Sequence, residues 1–263
     1  RVIMYRRVAG YWMRDQIIRN PDPNSSSDHF GKSVALRNGR LVVGNPDGNA
    51  PGTTSRCGSA HVFERNASGF WEEVSRLGKS SDTDGNSSFG ISVALGEDYV
   101  VVGDRKHRVG GSVGSGAAFA YELPFGDGVC SGAVNSLGNL AWLEVLGSHR
   151  AARGLLRLRA GDLIPGQLVM FLVGESSGYV PNPGNSAGAL CLGGRIGRFD
   201  GPGQIGPADA AGLVELSVDT GALPVTPSAP ILAGESWTFQ CWYRDTQPTT
   251  QSNFSGAVEV LFE

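Results

Sequence analysis

Short runs of apolar residues, separated by turn residues, make up most of this chain. In Lys32–Leu36, the apolar Val34 and Leu36 alternate with small or polar neighbours, which is typical of a β-strand with one buried face. The next run, Leu41-Val42-Val43, is continuously apolar, as in a strand that is buried on both faces. Asn38-Gly39 separates the two runs and predicts a two-residue hairpin, because a type I′ turn needs φ > 0 at both central positions.

This pattern repeats along the first half of the chain with a period of 59 residues. Phe30-Gly31-Lys32-Ser33-Val34-Ala35-Leu36 returns as Phe89-Gly90-Ile91-Ser92-Val93-Ala94-Leu95, and Gly10-Tyr11-Trp12 returns as Gly69-Phe70-Trp71. A complete unit holds four strand candidates, which in the middle repeat are Lys32–Leu36, Arg40–Gly44, Ser59–Arg65 and Phe70–Leu77. Four antiparallel strands per repeat are typical of a β-propeller blade.

Residues 1–123 resemble FG-GAP repeats, the blades of the integrin α-chain head and of many secreted bacterial proteins. The resemblance rests on the Phe-Gly dipeptide, the Ser-Val-Ala-Leu strand, Leu41-Val42-Val43-Gly44 and Gly58-Ser59-Ala60. It implies a β-propeller, an extracellular or cell-surface location and a binding or adhesion role.

The strand candidates amount to about two and a half blades. Residues 1–20 supply two strands, residues 30–77 supply four, and residues 89–123 supply three. Because a closed propeller needs at least about four blades, we expect the chain to be the C-terminal part of a larger protein. The missing N-terminal blades of the same chain would then close the ring.

The second half, residues 124–263, predicts a separate β-sandwich domain that follows a turn-rich link. Its strand candidates are joined by Gly and Pro turns and are Gly138–Leu146, Gly154–Ala160, Leu168–Val173, Ala189–Phe199, Gly212–Val218, Ser236–Arg244 and Gly256–Phe262. Cys191-Leu192-Gly193-Gly194 and Trp242-Tyr243-Arg244-Asp245 resemble a C-terminal module of large secreted bacterial proteins. No activity is attached to that module, so this resemblance implies a fold and a location without a chemistry.

An acidic loop before the second Phe-Gly is the candidate metal site. Asp82, Asp84 and Asn86 follow a D-x-D-G-N spacing that would place three oxygen ligands around a calcium ion. An ordinary Asx-rich turn is the alternative interpretation. The calcium loop of integrin-type blades is itself absent, since the corresponding turns at residues 37–39 and 96–98 are too short for it.

The four cysteines show no zinc-type spacing. Three lie in the second half, and Cys241 falls on the apolar face of its strand. We therefore predict a Cys130–Cys191 disulfide, with Cys57 and Cys241 free. Four free thiols are the alternative.

Catalytic motifs are weak in this sequence. Gly174-Glu175-Ser176-Ser177-Gly178 matches G-x-S-x-G, but a nucleophile elbow needs a helix directly after the serine, and Tyr179-Val180-Pro181 cannot begin one. We interpret the segment as a hairpin loop. Trp12 and Trp71 occupy the same repeat position, which favours packing between blades over ligand binding, whereas Trp242 is a candidate exposed contact residue.

Composition limits the possible partners. The chain has 39 Gly in 263 residues and a formal charge of −3, and its pI of about 5.8 does not favour nucleic-acid binding. No apolar run reaches the length of a transmembrane segment.

These patterns predict a secreted or cell-surface binding protein that is not an enzyme and contacts a protein or glycan ligand through propeller loops. One alternative is an extracellular polysaccharide-acting enzyme whose active site lies in the missing blades. Another is that the C-terminal domain acts in export or surface anchoring.

Overall fold

The computed structural model describes residues 1–21, 29–51, 56–66, 68–79, 87–108, 114–245 and 252–263. The chain divides into two units, Arg1–Glu122 and Leu123–Glu263. About 56% of it is strand and 3% is helical, in several antiparallel sheets. The predicted all-β class is therefore confirmed.

The described residues of the first unit form three antiparallel sheets. Sheet 1 has two strands, sheet 2 has four in the order β3-β4-β5-β6, and sheet 3 has three in the order β7-β8-β9. Their bounds are β1 Val2–Val8, β2 Tyr11–Ile18, β3 Ser33–Arg37, β4 Arg40–Asn45, β5 Ser59–Arg65, β6 Trp71–Leu77, β7 Phe89–Leu95, β8 Tyr99–Asp104 and β9 Ala117–Glu122.

The hairpin predicted between the first two strands of sheet 2 is confirmed. Arg37 of β3 pairs with Arg40 of β4, so Asn38 and Gly39 form the whole turn. Their φ angles are 46° and 75°, as a type I′ turn requires.

The Phe-Gly dipeptide marks each junction between sheets. Phe30 and Phe89 are buried, and the glycines that follow them have φ of 90° and 92°. A Cβ on Gly90 would lie 2.3 Å from the carbonyl oxygen of Ser59 and 3.0 Å from the amide nitrogen of Asn45. The dipeptide thus combines an apolar anchor with a backbone position that only glycine can fill without strain.

A small apolar core lies between sheets 1 and 2. Ile18 of β2 packs there with a cluster contributed by the second repeat, whose members are Phe30, Leu41, Val43, Phe63 and Trp71. The Trp residues that occupy equivalent repeat positions therefore differ: Trp71 is 6% exposed and Trp12 is 70% exposed. Of the two, only Trp71 fits the predicted packing role within the described residues.

The second unit, over residues 123–245 and 252–263, contains two antiparallel sheets and two 3-10 turns. The larger sheet follows the order β10-β18-β17-β13-β14, with β15 also paired to β13, and the smaller has the order β11-β12-β16. The strands are β10 Asp127–Cys130, β11 Trp142–Gly147, β12 Leu156–Gly161, β13 Leu168–Val180, β14 Leu190–Arg198, β15 Gly206–Pro207, β16 Val214–Val218, β17 Ser236–Arg244 and β18 Ser252–Leu261, and the 3-10 turns are Ala151–Arg153 and Pro183–Asn185.

One apolar cluster draws on both of these sheets. The smaller sheet contributes Leu156 and Leu158 of β12, and the larger contributes Val173 of β13 and Phe239 of β17. Along β17, the face predicted to be apolar is buried throughout. Strand alternation therefore sends one face of each sheet into a common core.

The hairpin loop predicted at Gly174–Gly178 is wrong. These residues lie within β13, and Gly174, Ser176 and Ser177 pair with β14 through an irregular register. Glycines in the partner strand make this possible: a Cβ on Gly193 would lie 2.8 Å from the Ser177 carbonyl oxygen. Strands β10 and β15 were also not predicted, since each is too short to show alternation.

We expect Gly90→Ala to destabilise the first unit more than Gly10→Ala. Both glycines have φ near 90°, so each alanine carries a backbone cost of about 1–2 kcal/mol. A Cβ at Gly10 meets nothing within 4 Å, whereas at Gly90 it meets backbone, which adds about 1–3 kcal/mol. Urea unfolding of the two variants measures the difference, and equal losses would contradict this account of the junction.

The paired tryptophans give a second test. We expect Trp71→Ala to lower the free energy of unfolding by about 3–5 kcal/mol, because it empties a buried site. Trp12→Ala, a matched change at the exposed repeat position, should stay within about 0.5 kcal/mol. Thermal unfolding followed by circular dichroism compares them, and a large loss at Trp12 would show that its ring is packed in solution.

Candidate functional site

The long connections of the first unit all leave the same end of its sheets. The strand ends at Ile18 and Ser33, Asn45 and Ser59, Leu77 and Phe89, and Asp104 and Ala117 lie at this end, which we call the loop end. Strand pairing establishes the arrangement: Val2 pairs with Ile18, Ser33 with Gly44, and Ala60 with Leu77. Short hairpins occupy the opposite end, called here the hairpin end. Loops held by a rigid scaffold are a common place for binding residues.

Asp104, the last residue of β8, organises part of the loop end. Its carboxylate accepts hydrogen bonds from Lys79 Nζ at 2.5 Å and Ser87 Oγ at 2.6 Å, and from the backbone N–H groups of Ser88 at 2.8 Å and Lys106 at 3.1 Å. The side chains of Lys79 and Asp104 are 3% and 0% exposed. This cluster, the Asp104 clamp, joins the segments that follow β6, precede β7 and follow β8.

The environment of Asp104 favours its charged form. Burial alone raises the pKa of this carboxyl, but the hydrogen bonds from Lys79, Ser87 and the two backbone amides outweigh burial and lower the pKa below its ordinary value. Lys79 Nζ also lies 3.3 Å from His107 Nδ1. A charged carboxylate that accepts these four hydrogen bonds holds the neighbouring segments in position.

An exposed polar group lies elsewhere at the loop end. His29 Nδ1 contacts a carboxylate oxygen of Asp47, and Arg56 Nε donates to the Asp47 carbonyl oxygen at 3.3 Å. The side chains of His29 and Asp47 are 66% and 41% exposed. These three residues, the His29 group, come from two different loops and present both charge signs to solvent.

Asn45 corresponds to Asp104 in the preceding repeat, but its environment differs. Asn45 is fully buried, and neither its amide nitrogen nor its amide oxygen has a hydrogen-bond partner among the residues that the structure describes. The two repeats therefore share a buried polar residue at the end of the second strand and form different contacts around it.

Ser59, His61 and Glu73 form a hydrogen-bonded chain that was not predicted from the sequence. Ser59 Oγ lies 3.0 Å from His61 Nε2, and His61 Nδ1 lies 2.6 Å from Glu73 Oε1. Burial raises the pKa of Glu73, but hydrogen bonds from His61 and Arg76 outweigh it and lower the pKa overall. The spacing Ser59-x-His61 was the available signal, because residues two apart share one face of a strand.

Ser59 and His61 are 1% and 0% exposed. The His61 ring packs edge-on to Phe30 at 5.3 Å and stacks with Phe63 at 6.4 Å. A hydroxyl buried in this way has no access to a substrate in this structure. The arrangement satisfies the hydrogen bonding of buried polar groups.

The candidate calcium ligands Asp82, Asp84 and Asn86 lie outside the described residues. The calcium site therefore stays a prediction. Across the described ranges, no group of three or more His, Cys, Asp or Glu side chains is arranged to hold a metal ion.

The structure joins Cys130 and Cys191 in a disulfide, and Cys57 and Cys241 are buried outside it. The bond links β10 to β14, the two outer strands of the larger sheet in the second unit. Burial raises the pKa of the Cys241 thiol well above its ordinary range, which makes that thiol unreactive.

Trp242 is less exposed than expected for the contact residue that the sequence suggested. It is half-buried and packs with Met170, Leu172 and Phe254 on the face of β17 opposite the main core. Trp242 lies on the opposite face from Cys241, as the alternation along the strand predicts, but the alternation did not indicate that this second face is also apolar.

The FG-GAP repeat family model matches the chain over residues 12–63 and 71–121. Both matches lie in the first unit, and they begin 59 residues apart, which is the repeat length found in the sequence. The resemblance to FG-GAP repeats is therefore confirmed for this part of the chain. Such repeats are typical of binding and adhesion proteins outside the cell.

No curated protein and no solved structure gives a significant match to the chain. Among the described residues, no helix has the length and apolar character needed to cross a membrane.

We expect Asp104→Asn to destabilise the first unit by about 3–5 kcal/mol at neutral pH, because Lys79 then loses the partner of a buried ion pair. The pKa of Asp104 is lowered by folding. Its charge therefore stabilises the fold above the ordinary aspartate pKa, and this contribution is lost as the pH falls through the folded value. The difference in free energy of unfolding between wild type and Asp104→Asn should be constant above about pH 5 and shrink below about pH 4.

Urea unfolding at several pH values measures this difference. Glu215→Gln is the matched control, because Glu215 pairs with Arg157 at a solvent-exposed position. It should cost at most about 1 kcal/mol. The proposed role of the Asp104 clamp would be contradicted if Asp104→Asn lowered the free energy of unfolding by a similarly small amount, or by an amount that does not change with pH.

Proposed function

We propose that this chain belongs to a secreted or cell-surface binding protein of the adhesion type, which is not an enzyme. The loop end of the first unit contacts a protein or glycan ligand. One observation carries this proposal: in the described residues of the first unit, the strand ends that long connections join lie at one end of the sheets, opposite the short hairpins.

The loop end has the properties of a recognition surface. The Asp104 clamp holds the connections around sheet 3 with buried charge-assisted hydrogen bonds, which are stronger than neutral ones. The His29 group offers exposed donors and acceptors of both charge signs. Polar side chains on a rigid support suit the hydrogen-bonding groups of a glycan or a protein surface.

We interpret the three sheets of the first unit as about two and a half blades of a β-propeller. The FG-GAP match supports this interpretation, as does the repeated junction at Phe30-Gly31 and Phe89-Gly90. Sheet 1 exposes large apolar side chains, among them Tyr11 and Trp12, at the repeat position whose counterpart Trp71 packs against a neighbouring sheet. Further blades of the same chain would cover this surface and close the ring.

The second unit is proposed to be a β-sandwich. Two antiparallel sheets that share one apolar core support this architecture. The Cys130–Cys191 disulfide supports an extracytoplasmic location, because disulfides persist mainly in oxidising compartments.

The test is binding of the full chain to a glycan array and to an array of purified extracellular proteins. A loop-end variant carries His29→Ala, Asp47→Ala and Arg56→Ala. We expect it to bind the selected ligand at least about tenfold more weakly than wild type, a loss of about 1.4 kcal/mol.

The control variant changes three exposed residues at the hairpin end, Arg7→Ala, Arg37→Ala and Ser68→Ala, and should bind as wild type does. Equal loss in the two variants would place the contact elsewhere. Hydrolysis of a polysaccharide on incubation with the chain would contradict the non-catalytic proposal.

A further inference from the structure

The outer face of the larger sheet in the second unit is unusually apolar. Strand alternation sends Val169, Phe171 and Val173 of β13 into the main core, so Met170 and Leu172 must point to the opposite face. An antiparallel sheet with one face on a core usually presents a polar second face. Here Leu172, Leu192 and Phe254 form a second buried cluster on that face.

A groove of about 410 Å³ opens on this face. Its residues follow a row across four strands: Arg198 pairs with Leu172, Met170 pairs with Trp242, and Trp242 pairs with Phe254. At about 4.8 Å between strands, the row spans about 14 Å. This volume lies in the range of small-molecule sites.

The wall of the groove is fixed by buried polar contacts. Gln240 accepts a hydrogen bond from the Cys191 N–H at 2.9 Å and donates to the carbonyl oxygens of Ala189 at 3.0 Å and Ser255 at 2.9 Å. These contacts hold the backbone on both sides of Leu190, which lines the groove. The disulfide at Cys191 adds a covalent restraint. The groove is therefore formed before any ligand arrives.

Arg198 supplies the only charge among the lining residues of the groove, and no acidic side chain is among them. Its side chain is exposed and makes no hydrogen bond or ion pair with any residue that the structure describes. Two other arginines of the second unit behave differently, since Arg195 pairs with Glu175 and Arg159 pairs with Glu144. The groove thus combines an apolar body with one uncompensated positive charge.

We propose that this groove binds a small carboxylate that carries an apolar chain. The chain lies along Met170, Ile196 and Trp242, where burial of apolar surface stabilises it. The carboxylate pairs with Arg198, whose planar guanidinium matches the two carboxylate oxygens. The proposal concerns the second unit alone and does not depend on ligand binding at the loop end.

Isothermal titration calorimetry of the full chain with octanoate tests the proposal, with 1-octanol as the neutral probe of equal chain length and acetate as the anion without the chain. We expect octanoate to bind at least tenfold more tightly than either. Binding should shift the indole N–H resonance of Trp242 in a proton–nitrogen spectrum, and Trp242→Phe assigns that resonance.

Arg198→Gln should reduce octanoate affinity to that of 1-octanol and leave 1-octanol affinity unchanged. Arg157→Gln, which removes an arginine from the smaller sheet, is the matched control and should leave both affinities unchanged. Ile196→Ser, at an exposed lining position, should weaken octanoate and 1-octanol alike.

Three results would overturn the proposal. These are no octanoate binding, equal octanoate affinity in wild type and Arg198→Gln, and binding that leaves the Trp242 resonance unmoved. Because the probes and variants all concern the second unit, failure here is distinguishable from failure of the loop-end experiment.

Discussion

The first unit depends on close backbone approach at the junctions between its sheets. Gly44 and Gly90 meet there: a Cβ on Gly44 would lie 2.0 Å from the Gly90 carbonyl oxygen, which also accepts a hydrogen bond from Ser33 Oγ at 2.9 Å. Each added side chain would push the sheets apart and open the apolar packing behind them. The glycines of the repeat therefore set how closely one sheet can follow another, and the buried phenylalanine before Gly90 fixes the register of the approach.

Much of the first unit could be predicted because its determinants are local and occur twice. The Asn38-Gly39 turn is specified by two residues, and β5 was predicted with the bounds observed, Ser59–Arg65. The Asp104 clamp was not predictable in the same way. Lys79, Ser87 and Asp104 are brought together by strand pairing and not by spacing along the chain, so no single segment carries the signal.

In the second unit, the alternation of apolar and polar residues predicted which strand faces are buried more reliably than it predicted where the strands end. The apolar face of β17, on which Cys241 lies, is buried as predicted. The continuation of β13 through Ser176 and Ser177 was missed, because turn-forming residues normally end a strand. Here the glycines of β14 accept the irregular pairing. The groove beside Trp242 was missed for a related reason, since alternation assigns one apolar face to a strand and gives no measure of the other.

The two repeats keep the same residue types at some equivalent positions and differ at others. Strand and junction positions keep their residue types at the 59-residue offset, as in Phe30-Gly31 and Phe89-Gly90. Positions beyond the strands at the loop end do not, since Asp47 is replaced by Lys106. This change reverses the charge without disturbing the sheets, because it lies beyond the last paired residue of the strand. A scaffold whose stability resides in its junctions can vary the chemistry of its loop end, which is the physical basis for placing recognition there.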